Sequence, residues 1–311
     1  MSVDMSSKID ELAHNIGEVI NRADALMDKF EKNEGDIAGI EEKLEKAATT
    51  DKDNSFSGNN SFEKPISIPE ATKENEGINL GQADGRYSKI LTKNLEITVG
   101  TSGMFKTLQE AFAEASKYSS SAYMSIRIKL LNELTITDRA YLNNHNGANI
   151  ILDGNNNTIK TNNKSALFFY GFSNNIIIKN ITLENIGRYQ DSSDAFLSGI
   201  TADLLSCIAI EGESVNIKGF KIGVMSGTGS KISTKFCKKV NIENCKWGLW
   251  GLSSGEVLGF NTNIKNCEVA NFVSENGKIT IKAQILEGNT TDYNVPINTS
   301  NNPSGYICKT N

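Results

Sequence analysis

The sequence predicts a mainly β protein on a helical stem: an N-terminal trimeric α-helical coiled coil, a short interwoven shaft and a C-terminal parallel β-helix. Three observations predict it. Heptads run almost unbroken through the first 48 of 311 residues, and a strand phrase recurs through the second half. Abundant Asn, 26 glycines, four prolines and 7% aromatics suit a fold with many turns.

The heptads come first. With Ile9 at position a, the a series is Ile9, Ile16, Ala23, Phe30, Ile37 and Leu44. The d series is Met5, Leu12, Val19, Leu26, Asn33, Ile40 and Ala47. A lone helix would leave this stripe in water, whereas two or more copies bury it knobs-into-holes. The mixture of Ile, Phe and Leu at a with Leu, Val and Ile at d departs from the dimer rule and allows a trimer. Ile9, Leu12, Ile16, Val19, Leu26, Phe30, Ile37, Ile40 and Leu44 are therefore the expected self-association residues, with Asn33 as the polar residue that sets register. Asn33 and its symmetry mates could alternatively hold an anion on the axis.

Composition narrows the function classes. A net charge of −5 and a pI near 5.3, with no Lys/Arg stripe, argue against nucleic acid as a partner. No apolar run reaches about 18 residues, so membrane insertion by a helix is not expected. The start, MSVDMSSKIDEL, lacks the basic and apolar regions of a signal peptide. Cys207, Cys237, Cys245, Cys267 and Cys308 are odd in number and widely spread, which favours reduced thiols over a disulfide framework or a zinc site. With His14 and His145 the sole histidines, no metal site, cofactor or Ser-His-Asp triad is expected.

Residues 49–95 form the expected shaft. The stretch Asn54-Ser-Phe-Ser-Gly-Asn-Asn-Ser-Phe62, then Pro65-Ile-Ser-Ile-Pro69, then Ala83-Asp-Gly-Arg-Tyr-Ser-Lys89 resembles shaft modules of tailed-phage and prophage tail fibres. The resemblance covers about 35 residues plus the heptads, and implies a fibrous homotrimer with a structural role for Arg86 and Tyr87. Residues 96–125 follow, and Phe105, Leu108, Ala111, Phe112 and Ala115 recur at helical spacing. The phrase Gly103-Met-Phe-Lys-Thr-Leu-Gln-Glu-Ala111 is similar to the cap of right-handed parallel β-helices, including tailspikes and polysaccharide lyases. A helix there covers the open edge of the first coil.

Residues 126–290 are expected to be the β-helix, and 291–311 a tail or cap. Four phrases align without gaps, starting at Ile178, Ile217, Ile242 and Ile264. Their separations are 39, 25 and 22 residues (217 − 178, 242 − 217, 264 − 242), and the long first gap suggests an extra coil around Cys207–Ile210 plus an inserted loop. Weaker coils are expected around Ile151 and Ile279. Three apolar columns should face inward: Ile178/Ile217/Ile242/Ile264, Ile181/Phe220/Cys245/Cys267 and Leu183/Ile222/Trp247/Val269. Cys245 and Cys267 would be stacked small hydrophobes, since cytosolic assembly disfavours a disulfide between them. Lys179, Lys218, Glu243 and Lys265 should point out. Asn180, Asn244 and Asn266 should take left-handed bends. A fourth column, Ile186, Met225, Trp250 and Phe272, is core if it faces inward; if outward, it is a trimer contact or a sugar platform.

Glycosidic cleavage requires two carboxylates about 5–9.5 Å apart. The acidic cluster in the insertion is Glu184, Asp191 and Asp194, the candidate catalytic set, with Arg188 and Tyr189 beside it to hold a sugar. Ordinary turn aspartates in a solvated loop are the competing reading. Of the two tryptophans, Trp247 reads as interior, and Trp250 as the exposed sugar-stacking candidate. The family resemblance implies a virion-tail protein made in the bacterial cytoplasm. Its partners would be itself, a bacterial surface glycan and a phage baseplate or adaptor protein. It would either bind that glycan or, as a tailspike depolymerase, hydrolyse or lyase it.

Overall fold

The computed structural model describes residues 2–32, 88–120, 123–144, 146–171, 173, 175–299 and 302–310. The chain divides into two compact units, Met1–Ser67 and Ile68–Asn311. In the first, one α-helix spans Ser2–Lys32. It leaves Met5, Ile9, Leu12, Ile16, Val19 and Leu26 more than half exposed. Asn33, Ile37, Ile40, Leu44 and most of the expected shaft lie outside the described residues. No helix among the described residues is long and apolar enough to cross a membrane.

The second unit is a parallel β-solenoid. Its first face stacks nine strands in chain order, from Leu95–Val99 to Gly305–Lys309, all paired parallel. The second face runs from Leu134–Thr135 through Thr158–Thr161, the ends of Ile176–Asn185 and Cys207–Lys218, Val240–Glu243 and Thr262–Lys265 to Ile285–Glu287. The third is a seven-stranded sheet from Ala140–Leu142 to Thr291–Tyr293. Strand ladders therefore extend into the segment expected to be a tail.

In-register stacking builds the core. On the first face Ile126, Ile150, Ile176, Ile208, Ile232, Val257, Ile279 and Ile307 follow one another coil by coil. All are at most 3% exposed. On the second face the column is Leu134, Ile159, Leu183, Ile217, Ile242, Ile264 and Leu286. Each full burial of such a side chain is worth about 1.5–3 kcal/mol, so the repeated β-branched inward residue both favours strand and supplies the stabilisation. The third face closes onto this column through small residues. A Cβ on Gly248 would lie 2.7 Å from Ile264 Cγ2 and 2.6 Å from the Ala270 carbonyl oxygen. Only a hydrogen at that position lets the two faces meet.

The edge of the first coil is covered as the sequence suggests. The helix Leu108–Ala115 buries Leu108, Ala111, Phe112 and Ala115. Thr107 and Glu110 form a capping box: the Thr107 hydroxyl accepts from the Glu110 N–H at 3.2 Å, and the Glu110 carboxylate accepts from the Thr107 N–H at 2.9 Å.

Register corrects several expectations. Ile178 pairs with Leu152 and Ile210, whereas Leu183 pairs with Ile217. The phrase at Ile178 thus belongs one face earlier than its aligned counterparts, and Ile181 pairs with Val215. Cys207–Ile210 is no extra coil, since it begins the same strand that carries Ile217. The long gap is one coil of 32 residues (210 − 178), lengthened by the 186–197 insertion, plus the 7-residue step (217 − 210) from the first face to the second. Phe220, Cys245 and Cys267 are interior, and all five cysteines are free thiols. Burial holds the Cys245 thiol well above its ordinary pKa. The third column is split, however: Leu183 is in the main core, whereas Ile222 and Trp247 pair in register and pack in a small cluster outside it. The cause is a local break in alternation, in which Gly248 and Leu249 both turn inward and leave Trp247 and Trp250 outside. Asn180, Asn244 and Asn266 do take left-handed backbone, at φ 51°, 55° and 54°.

Candidate functional site

The outer side of the third face carries a column of aromatic and large apolar side chains. Tyr141 pairs with Phe168, Phe168 with Thr201, Thr201 with Met225, Met225 with Trp250 and Trp250 with Phe272. Three of these, Met225, Trp250 and Phe272, are the fourth column expected from the sequence, and it faces outward. Ile186 is not part of it, being 58% exposed beyond the end of a first-to-second-face strand, and Thr201 takes its place. Five strand spacings of roughly 4.8 Å give this track a length of about 24 Å.

The rings pack on one another rather than lying singly in solvent. Tyr141 and Phe168 stack at 6.1 Å, and Phe168 and Tyr170 at 6.1 Å. Beyond the small Thr201 step, Trp250 meets Trp247 at 4.6 Å, and Phe272 at 5.5 Å edge-on. The indole N–H of Trp250 donates to Ser274 Oγ at 3.0 Å, fixing the ring's rotation. Contrary to the expectation of an exposed ring, mutual packing leaves Trp250 just 8% exposed, in a small apolar cluster separate from the solenoid core, and the Phe196 ring, 47% exposed, is the one open to solvent. Trp247 is half-buried on this outer side, with Lys246 Nζ 4.7 Å above its ring.

A groove of about 460 Å³ opens over this cluster, walled by Phe168, Phe196, Met225, Trp250, Asp194 and Asp203, with Arg139 and Glu275 at its edges. The insertion builds one wall. Its short 3₁₀ turn Tyr189–Asp191 leads to Asp194, whose Oδ1 accepts from the Phe196 N–H at 2.9 Å. That Asx turn presents the Phe196 ring to Trp250, stacked at 5.9 Å and 18°. Arg139 lies 4.6 Å over the Phe168 ring and also borders a neighbouring groove of about 590 Å³ beside the cap helix, so the two share a wall. Another groove, of about 570 Å³ on the first face, is lined chiefly by aliphatic and small polar side chains such as Ile151, Ile177 and Ala209. Flat rings with polar groups at their margin suit a sugar better than an aliphatic trough does.

The sequence candidates divide between two faces. Glu184 does not join Asp191 and Asp194. It sits on the second face, 3.0 Å from Lys218 Nζ, as a rung of an in-register column Lys160, Glu184, Lys218, Glu243, Lys265, Glu287. Three of the four residues expected to point outward, Lys218, Glu243 and Lys265, belong to this column. Asp191 and Arg188 are solvent-exposed and face each other at 3.9 Å. Tyr189 packs against the solenoid core and donates to Glu268 Oε1 at 3.2 Å. Burial, then the Glu268 charge, push its pKa up to about 12, so it stays protonated. Asp194 and Trp250 are the candidates that share the groove. Missed by the sequence reading were Phe196, Phe168, Tyr141, Arg139, Asp203 and Glu275. The signal available was the recurring Ser198-Gly-Ile-Thr, Ile222-Gly-Val-Met and Trp247-Gly-Leu-Trp phrase, whose glycine marks the third face. Among the described residues no cluster of three or more His, Cys, Asp or Glu side chains could hold a metal ion.

Fold and groove together define a parallel β-solenoid with an aromatic track on one outer face. Set against protein families, curated proteins and solved structures, the chain matches none.

Proposed function

We propose that the chain is a homotrimeric tail fibre of a phage or phage-derived particle that binds a glycan on the bacterial surface through the third face of its solenoid. One observation carries this reading: an outward, in-register column of large apolar side chains, with the Phe196–Trp250 stack on it, under an open groove. A tail fibre accounts for the solenoid's stiffness, and for the apolar heptad residues that the N-terminal helix leaves exposed. Three copies would multiply a weak glycan contact through effective concentration. The stem would attach the fibre to a baseplate or adaptor protein.

Depolymerisation is the second reading, and the placement of carboxylates favours keeping it. Asp194, Asp203 and Glu275 all border the groove, and glycoside hydrolysis uses a carboxylate pair. Glu184, held by Lys218 on another face, is no part of that reading. The experiment incubates the full chain with candidate host cells and their extracted polysaccharides, and scores retention and released oligosaccharide together. Retention without release supports the binding fibre, whereas release supports the depolymerase. Neither retention nor release, or retention unaffected by Trp250→Ala, rejects the site. Sedimentation equilibrium tests the stem: the full chain should sediment as a trimer, and Ile16→Asp should shift it towards monomer.

A further inference from the structure

We infer that the groove is built for a glycan without anionic groups, of neutral or amino sugars, and discriminates against uronate- or sialate-bearing polymers. The inference rests on the glycan-binding reading above and names the class of glycan that this site takes.

Charge at the groove carries the argument. Three carboxylates border it, Asp194, Asp203 and Glu275, against one cation, Arg139. None of the three has an ion-pair partner among the described residues. Their hydrogen bonds come from neutral donors: the Phe196 N–H to Asp194, the Leu204 N–H to Asp203 and the Ser253 hydroxyl to Glu275. Each is thus oriented without being neutralised. Elsewhere on the solenoid some carboxylates are answered by cations at close range, as Asp153 is by Arg127, Glu184 by Lys218, Glu256 by Lys231 and Lys278, and Glu287 by Lys265, and none of these pairs lines the groove. What sets the groove apart is that three carboxylates without an ion pair among the described residues border one recess.

The cations near the site do not reverse its sign. Arg139 lies against the face of Phe168, and Lys246 over Trp247. Lys221 Nζ donates to the Asp194 backbone carbonyl at 2.9 Å. Neither Lys221 nor Lys246 lines the groove. An anionic sugar lying on the exposed Phe196 ring, which Trp250 backs, would meet at least two uncompensated carboxylates in a recess where screening by salt is reduced. A hydroxyl or ammonium group there instead finds acceptors already aimed by local hydrogen bonds, and charge-assisted bonds are the stronger kind.

The test measures binding of the full chain to hexamers of N-acetylglucosamine, glucosamine and galacturonate, and to neutral, amino-sugar and uronate- or sialate-containing bacterial polysaccharides. These are read at low and physiological salt. Binding should fall among the neutral and amino classes and be lost in Trp250→Ala. The combined Asp194→Asn, Asp203→Asn, Glu275→Gln variant should lose about tenfold for the amino class, which is about 1.4 kcal/mol, and should gain affinity for the anionic class. Preference for anionic glycans that depends on Trp250 overturns the inference and leaves the glycan-binding reading standing. Absence of binding to every glycan overturns both. Thermal unfolding of the triple variant separates lost affinity from lost fold.

Discussion

On the second face of the solenoid the outward residues answer one another; on the third they do not. The second face alternates Lys160, Glu184, Lys218, Glu243, Lys265 and Glu287 up one column, with Lys265 and Glu287 2.6 Å apart. Beside it Asn216, Asn241 and Asn263 hydrogen-bond in a ladder at 2.6 and 3.2 Å. Such a face satisfies itself and offers little to a ligand. The third face presents rings, a recess and carboxylates without ion pairs. Backbone geometry is shared, so the proposed binding role rests on which columns are left incomplete.

The largest expected effect comes from the position that joins the two faces. Gly248→Val should cost 3 kcal/mol or more by forcing Ile264 and the Ala270 carbonyl apart, at the upper end of about 1–3 kcal/mol for overpacking. Thermal unfolding checks it, and an unchanged melting temperature would mean that the faces do not close as described. Next is Trp250→Ala. Retention on host glycan should fall at least about tenfold, with a stability loss of about 2 kcal/mol, below the usual core Trp range because the cluster lies outside the main core.

Asp153 ranks third. It is 2% exposed, and Arg127 Nη2 and Lys179 Nζ lie near one oxygen, at 2.5 and 3.6 Å. Burial would raise its pKa, but the Asn155 N–H and Arg127 outweigh burial and hold it below the ordinary value. Its contribution is therefore present above the unfolded carboxylate range, and is lost as pH falls towards the lowered folded pKa. Asp153→Asn should cost about 2 kcal/mol near neutrality, less than a fully buried pair because Arg127 is 42% exposed. Denaturation across that acidic window should show a shallower pH dependence in the variant than in the wild type.

The smallest effect sharpens the comparison most. Glu184→Gln should change stability by less than about 0.5 kcal/mol, as for partly exposed pairs, and should leave glycan retention and release unaltered. A loss of either activity would move the site to the second face and overturn the contrast.

Particular residues show why much of the solenoid was legible. Ile217, Ile242 and Ile264 recur with Lys or Glu after them, because a parallel stack needs the same inward residue in each coil. The cap was legible through Thr107 and Glu110, whose spacing is a local signal. Face assignment was not. Ile178 and Ile217 begin nearly the same phrase, yet lie on different faces, since strand alternation looks alike wherever a coil turns. Trp247 read as interior because strict alternation was assumed, and the Gly248–Leu249 break lies in the backbone, not in composition.

By itself the sequence determined that strands would stack, that Ile217, Ile242 and Ile264 would fill one inner column, and that a helix would close the first edge. These follow from hydrophobic periodicity and capping, which act within one coil or one turn. The meeting of Asp194, Phe196 and Trp250 was decided only by the tertiary structure. They lie over 50 residues apart in the chain, from Asp194 to Trp250, and share a groove because the coils carrying Ser198–Ala202, Ile222–Ser226 and Trp247–Leu252 stack in register. That register depends on every turn between them, so no local pattern carries it.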